Sequence, residues 1–131
     1  VDRRVIPGEN LKQIVSEIRE FLAARLTFDF ELDPPWIECA ALTDADNADL
    51  ASAVLACLTA VDGPHAAVGV PYGTHASPTC GGGVPSIVFG PGSIQQAHTR
   101  DEFIDIGQLE KAAEVYYQLC ADGLRNGTTN Q

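Results

Sequence analysis

Thr27-Phe28-Asp29-Phe30-Glu31-Leu32-Asp33 alternates apolar and polar side chains without a break. A period of two sends successive side chains to opposite faces of an extended chain, so the stretch predicts a strand with one dry face and one wet face. Pro34-Pro35 closes it, because proline cannot donate to a ladder. Toward the N-terminus, Leu11, Ile14, Val15, Ile18, Phe21, Leu22 and Leu26 recur at helical spacing, and the acidic and basic residues fall off that stripe. This predicts a helix over 10–25. Asn10 is its cap and Gln13 stands three residues on, a variant of the capping box. Pro7-Gly8 punctuates the short apolar stretch that ends in Val5-Ile6. The unit reads strand, helix, strand. A sheet face covered by a single helix is thin, and predicts a partner that completes it.

Toward the C-terminus, residues 34–46 read as a connection and a second helix is predicted over 47–61. Leu50, Val54, Leu58 and Val61 line one side of it. Asp44, Asp46 and Asp49 stand at its start, where negative charge complements the helix dipole. Asp62-Gly63-Pro64 stops it. Ala66 to Val70 predicts a short strand and the Gly-, Pro- and Ser-rich residues 71–84 a loop. Ser86-Ile87-Val88-Phe89 predicts a strand buried on both faces, as in a parallel sheet. A last helix is expected over 107–122, with Leu109, Ala112, Ala113, Tyr116, Leu119 and Cys120 inward and Gly123 at its C′ position. Asn126 to Gln131 reads as a frayed tail. The fold class expected is therefore α/β. In such folds ligands gather at the loops beyond the carboxyl ends of strands, which predicts that residues 71–83 and 90–102 share one mouth.

The eight Lys and Arg are outnumbered by 18 Asp and Glu, for a formal charge of −10. A field of that sign repels phosphate backbones, so no nucleic-acid partner is expected. No apolar run approaches the roughly 20 residues that span a bilayer, so no membrane partner is expected either. The first residues carry no export signal, and Cys39, Cys57, Cys80 and Cys120 match no Cys-x-x-Cys framework. Together these predict a reducing, cytoplasmic setting. Cys57 and Cys120 are expected to be buried as small hydrophobes. Cys80, in a glycine-rich loop, is the more reactive candidate. Methionine is absent, and Val1 reads as mid-strand, which predicts a processed or truncated piece.

Chemistry concentrates in two stretches. One is Gly83-Val84-Pro85-Ser86-Ile87-Val88-Phe89-Gly90-Pro91-Gly92-Ser93, followed by Ala97-His98-Thr99-Arg100-Asp101-Glu102-Phe103. The other is Asp2-Arg3-Arg4-Val5-Ile6-Pro7-Gly8-Glu9. Neutral imidazole is a common zinc ligand, and Asp101 or Glu102 is placed to fix its tautomer. One histidine cannot hold a metal that wants three or four ligands. In order and spacing the two stretches resemble the closing part of the M20 metallopeptidases, of the acetylornithine deacetylase and succinyl-diaminopimelate desuccinylase type. The likeness runs from residue 1 to about 120.

The resemblance implies an α/β zinc-peptidase catalytic domain, closed by residues 43–131. It also implies an inserted α/β lid, or dimerisation, domain whose closing β-α-β part is residues 1–33, which with the return linker makes up residues 1–42. It implies that His98 is the last metal ligand of a site for two zinc ions, with cobalt as an alternative. Arg4 matches a lid arginine that forks onto the substrate carboxylate. Gly73 and Thr74, and Gly92 and Ser93, match loops that touch substrate. The implied substrate is a small N-acyl amino acid whose amide is hydrolysed, and the implied assembly is a homodimer. His75 stands where relatives often carry aspartate. The remaining metal ligands, the general-base glutamate and the lid histidine of the family lie upstream of anything matched here, so the chain by itself is expected to be inactive and to hold no metal stably. The residues leave open a non-catalytic dimerisation or binding module, and a small acidic domain that binds one metal through His98 and carboxylates.

Overall fold

The computed structural model describes the backbone of residues 2–127 and side chains through Ala121. The chain divides into two compact units, Val1–Asp46 with Val70–Ser86, and Asn47–Gly69 with Ile87–Gln131.

In the first unit, α1 spans Leu11–Ala23. Asn10 caps it as expected: its Oδ1 accepts from the backbone N–H of Lys12 at 3.0 Å and of Gln13 at 3.4 Å. Gln13 does not complete the capping box. Its side-chain amide donates instead to Glu17 at 2.8 Å. Ile14 is buried, and Leu11, Val15, Ile18, Leu22 and Leu26 are half-buried along the same stripe. Phe21 departs from it: 55% of its surface is exposed, and its ring lies under the Arg25 guanidinium, 3.7 Å from the ring centroid. That contact gives an exposed aromatic a charged cover.

Residues 71–84, expected to be loop, contain a second helix, α2, over Ala76–Gly81. Its end forms a Schellman closure. Gly83, at φ 87°, donates to the Cys80 carbonyl at 2.9 Å, and Val84 donates to the Thr79 carbonyl at 3.3 Å. Gly83 supplies the left-handed residue this closure needs.

In the second unit, α3 spans Ala48–Asp62 and α4 spans Ile106–Gly127. Gly63 stops α3 at φ 86°, where a side chain would be strained. The two helices pack on each other and carry the unit's core of Val54, Ala112 and Val115. Leu50, Leu58 and Val61 flank Val54 as expected. On α4 the inward face is turned from the expected one. Val115 is fully enclosed, whereas Leu109 and Tyr116 are half exposed and Ala113 and Cys120 are exposed. Positions 112, 115 and 119 give a narrower stripe than the one expected, because a single facing helix covers only a narrow strip. The helix also runs past Gly123 to Gly127. Residues 128–131 of the expected tail lie outside the described residues.

The α/β expectation fails. Among the described residues there is no strand, so neither the β-α-β part expected within 1–42 nor a sheet within 43–131 is present. The segments 27–33, 66–70 and 86–89 are irregular, and no backbone ladder joins them to any other segment. The reason is physical: alternation prepares a face, whereas a strand also needs a neighbour about 4.8 Å away to take its N–H and C=O groups. Two of the segments, 27–33 and 86–89, are fastened by single side chains instead. The Arg19 guanidinium donates to the Leu32 carbonyl at 3.1 Å. Tyr116 donates its hydroxyl to the Phe89 carbonyl at 3.1 Å, with its ring edge-on to Phe89 at 5.3 Å.

Candidate functional site

The turn at the N-terminus sorts two neighbouring arginines. Glu9 reaches back over Pro7-Gly8 and accepts the Ile6 N–H at 2.7 Å, while its own N–H donates to the Ile6 carbonyl at 3.2 Å. The same carboxylate takes the fork of Arg3 at 2.5 and 3.1 Å. The Arg3 fork, and then the Ile6 N–H, hold the Glu9 carboxyl below its ordinary value, and Glu9 raises Arg3. Arg3 is thereby committed, and it also donates to the Arg4 carbonyl. Arg4 makes one contact to Asp2 at 3.1 Å, with both side chains about two-thirds exposed. Such a pair contributes little and is readily exchanged for another carboxylate. Of the two guanidiniums, Arg4 is the one available to a ligand.

In the same unit, Thr74 is half-buried and its Oγ1 accepts the Ala76 N–H at 3.2 Å, an anchor for the first turn of α2. Gly73 faces open space where a Cβ would stand. His75 is exposed, and its carbonyl accepts the Thr79 hydroxyl at 2.7 Å.

The second unit holds Gly92, Ser93 and His98 in one loop. Gly92 has φ 94° and donates its N–H to Gln108 Oε1 at 2.7 Å. Ser93 Oγ accepts the Gln95 N–H at 3.3 Å. Successive turns follow, with Gln96 donating to Ser93, Ala97 to Ile94 and Thr99 to Gln96. His98 stands within them at φ 60°, the one non-glycine with positive φ among the described residues. Its imidazole is exposed, and its backbone N–H donates to Glu102 Oε2 at 3.1 Å. Glu102 thus grips the backbone of His98, whereas sequence reasoning assigned it or Asp101 to the ring. Histidine is one of the few side chains that tolerate the left-handed region, and residues held there cluster at functional positions.

Residues 5–122 match peptidase family M20/M25/M40. The chain belongs to that family. Among M20 relatives, acetylornithine deacetylase of Yersinia pseudotuberculosis is 35% identical over 126 residues, covering 91% of this chain and 30% of the relative. N-acetyl-L-citrulline deacetylase of Xanthomonas campestris is 47% identical over 45 residues, covering 34% of the chain and 12% of the relative. Acetylornithine deacetylase of Proteus mirabilis is 54% identical over 35 residues, covering 27% and 9% respectively. The chain therefore spans at most about a third of the length of the curated M20 relatives it matches. No solved structure matches the chain.

M20 peptidases are metal-dependent in general, which sets a test for the residues present. Among the described residues no group of three His, Cys, Asp or Glu side chains is arranged to hold a metal ion. His98 is a single donor, and zinc needs three or four. These residues do not by themselves build a zinc site. No helix among the described residues is long and apolar enough to cross a membrane.

Proposed function

We propose that the chain is part of a metal-dependent amidohydrolase that cleaves the amide of a small N-acyl amino acid. In this reading His98 contributes one ligand to a site for two zinc ions. The other donors come from polypeptide beyond the described residues, and the chain by itself turns nothing over. The resemblance assigns Arg4 to the substrate carboxylate, in place of Asp2, Gly73 and Thr74 to one loop that touches substrate, and Gly92 and Ser93 to another. The observation that carries the reading is the presentation of His98: an exposed imidazole on a backbone that other residues hold in the left-handed region. The acidic composition and the unmatched cysteine pattern favour a cytoplasmic setting.

The test is His98→Ala in the full-length polypeptide, assayed for bound zinc and for turnover of N-acetylated amino acids. Losing even an outer-shell partner of a metal costs about 10–100-fold, so losing a ligand should lower kcat/KM by at least about 100-fold. Unchanged metal content and turnover would sink the assignment.

A second reading, self-association of the first unit, is favoured by Phe28, Trp36 and Ile37, exposed at 66%, 96% and 75%. Large apolar side chains gathered in one segment mark interaction surfaces. Sedimentation of the chain across a concentration series should show a dimer, and a single monomeric species at every concentration would rule this reading out.

A further inference from the structure

We infer that Glu102 and Gln108 are positioning residues that set the direction of His98 by gripping the two left-handed residues of its loop. The loop from Gly90 to His98 contains two positive φ angles, 94° at Gly92 and 60° at His98. Each of these two residues donates its backbone N–H to a side-chain oxygen further along the chain. Gly92 donates to Gln108 Oε1 at 2.7 Å, and His98 to Glu102 Oε2 at 3.1 Å. Between them, the N–H groups of Gln96 and Ala97 go to carbonyls three positions back. The grips therefore stand where the chain reverses hand, and those are the positions where the backbone would otherwise leave the conformation.

The two grips are anchored differently. Gln108 is the third residue of α4, and Asp105 caps that helix. Asp105 Oδ1 accepts the Gln108 N–H at 3.0 Å, and the Asp105 carbonyl accepts from Leu109 at 3.1 Å. In a capping box the third residue reaches back to the N–H of the cap. Here its oxygen goes to Gly92, which ties the loop to a helix fixed through Ala112 and Val115. Gly107 leaves space for the Asp105 cap, since a Cβ there would stand 3.1 Å from Asp105 Oδ1. Glu102 acts from four residues beyond His98, before α4 begins. A carboxylate is a stronger acceptor for an N–H than a neutral carbonyl, which suits a residue whose left-handed conformation needs support.

The inference rests on the proposed function only in taking His98 as the group to be aimed, and its test reads the backbone. In isotopically labelled chain, amide hydrogen exchange and the HN–Hα coupling are measured at Gly92 and His98, with helicity followed by circular dichroism. Glu102→Gln and Gln108→Glu keep an acceptor oxygen and should keep both amides protected. Glu102→Leu should speed exchange at His98 by about tenfold or more, and Gln108→Leu should do the same at Gly92, with helicity unchanged. Unchanged protection in the Leu variants overturns the inference, and so does unprotected exchange at both amides in the unsubstituted chain. Were the Leu variants to unfold, the unsubstituted chain and the two acceptor-keeping variants would still decide it. In the full-length enzyme the Leu variants should lower kcat more than they raise KM, and the conservative variants Glu102→Gln and Gln108→Glu should restore kcat. If His98→Ala leaves activity intact while the Leu variants still lose amide protection, the proposed function fails and the positioning role stands.

Discussion

The α3–α4 pair and the irregular segment 27–33 dispose of their backbones in different ways. In α3 and α4 each interior N–H finds the carbonyl four residues back, so packing Val54 against Ala112 and Val115 is all the pair needs to close its core. In 27–33 the side chains alternate, and Phe30 and Leu32 are half-buried, yet the backbone is anchored by a single side chain, through the Arg19 bond to the Leu32 carbonyl. A helix carries its hydrogen-bond partners within itself, whereas an extended segment depends on what lies beside it. Order in the second case is a property of the surroundings.

Proline tests that difference most sharply. Ala56 is exposed in the middle of α3, so Ala56→Pro touches little except the backbone. It should cost about 3 kcal/mol or more, seen as a fall in the urea midpoint of the second unit. The cap of α1 should matter less: Asn10→Ala removes the acceptor for two N–H groups and should cost about 1 kcal/mol, read from helicity against temperature. In segment 27–33, Glu31→Pro has no ladder bond to remove and should change stability by less than about 0.5 kcal/mol. A loss near that of Ala56→Pro would show that Glu31 is paired after all.

The smallest effect concerns acid. Lys111, and after it His65, hold the Asp62 carboxyl below its ordinary value, joining the end of α3 to α4. The folded chain therefore binds that proton more weakly than the unfolded chain. The resulting stabilisation is present above the ordinary aspartate range and is lost as pH falls through the lowered value of Asp62. The urea midpoint should drop on the acid side, and Asp62→Asn should flatten that drop. An identical acid profile in the variant would show that the ion pair contributes nothing, as many exposed pairs do.

This contrast explains what could be read in advance. Helices α1, α3 and α4 announce themselves through Asn10, Gly63 and apolar spacing, because caps and periodicity are local. The segments 27–33, 66–70 and 86–89 announce only a face. Helix α2 is six residues long and contains Pro78, so no periodicity develops; Thr74 and Gly83, at its two ends, were its only signal. On α4, sequence spacing reads Leu109 and Tyr116 as inward and Val115 as not, because the facing helix that encloses Val115 is not encoded in α4 itself. In the candidate site, the family resemblance singled out Arg4 and His98. That Glu9 removes Arg3 from competition, and that Glu102 holds a backbone rather than a ring, depends on side-chain reach that spacing does not encode.

Trp36 is the chain's one tryptophan, and 96% of its surface meets water. Its indole emission should therefore be red-shifted and readily quenched by iodide or acrylamide. Whatever settles on the segment after Pro34-Pro35, a second copy or further polypeptide, will shift that emission to the blue, giving the molecule its own optical gauge of assembly.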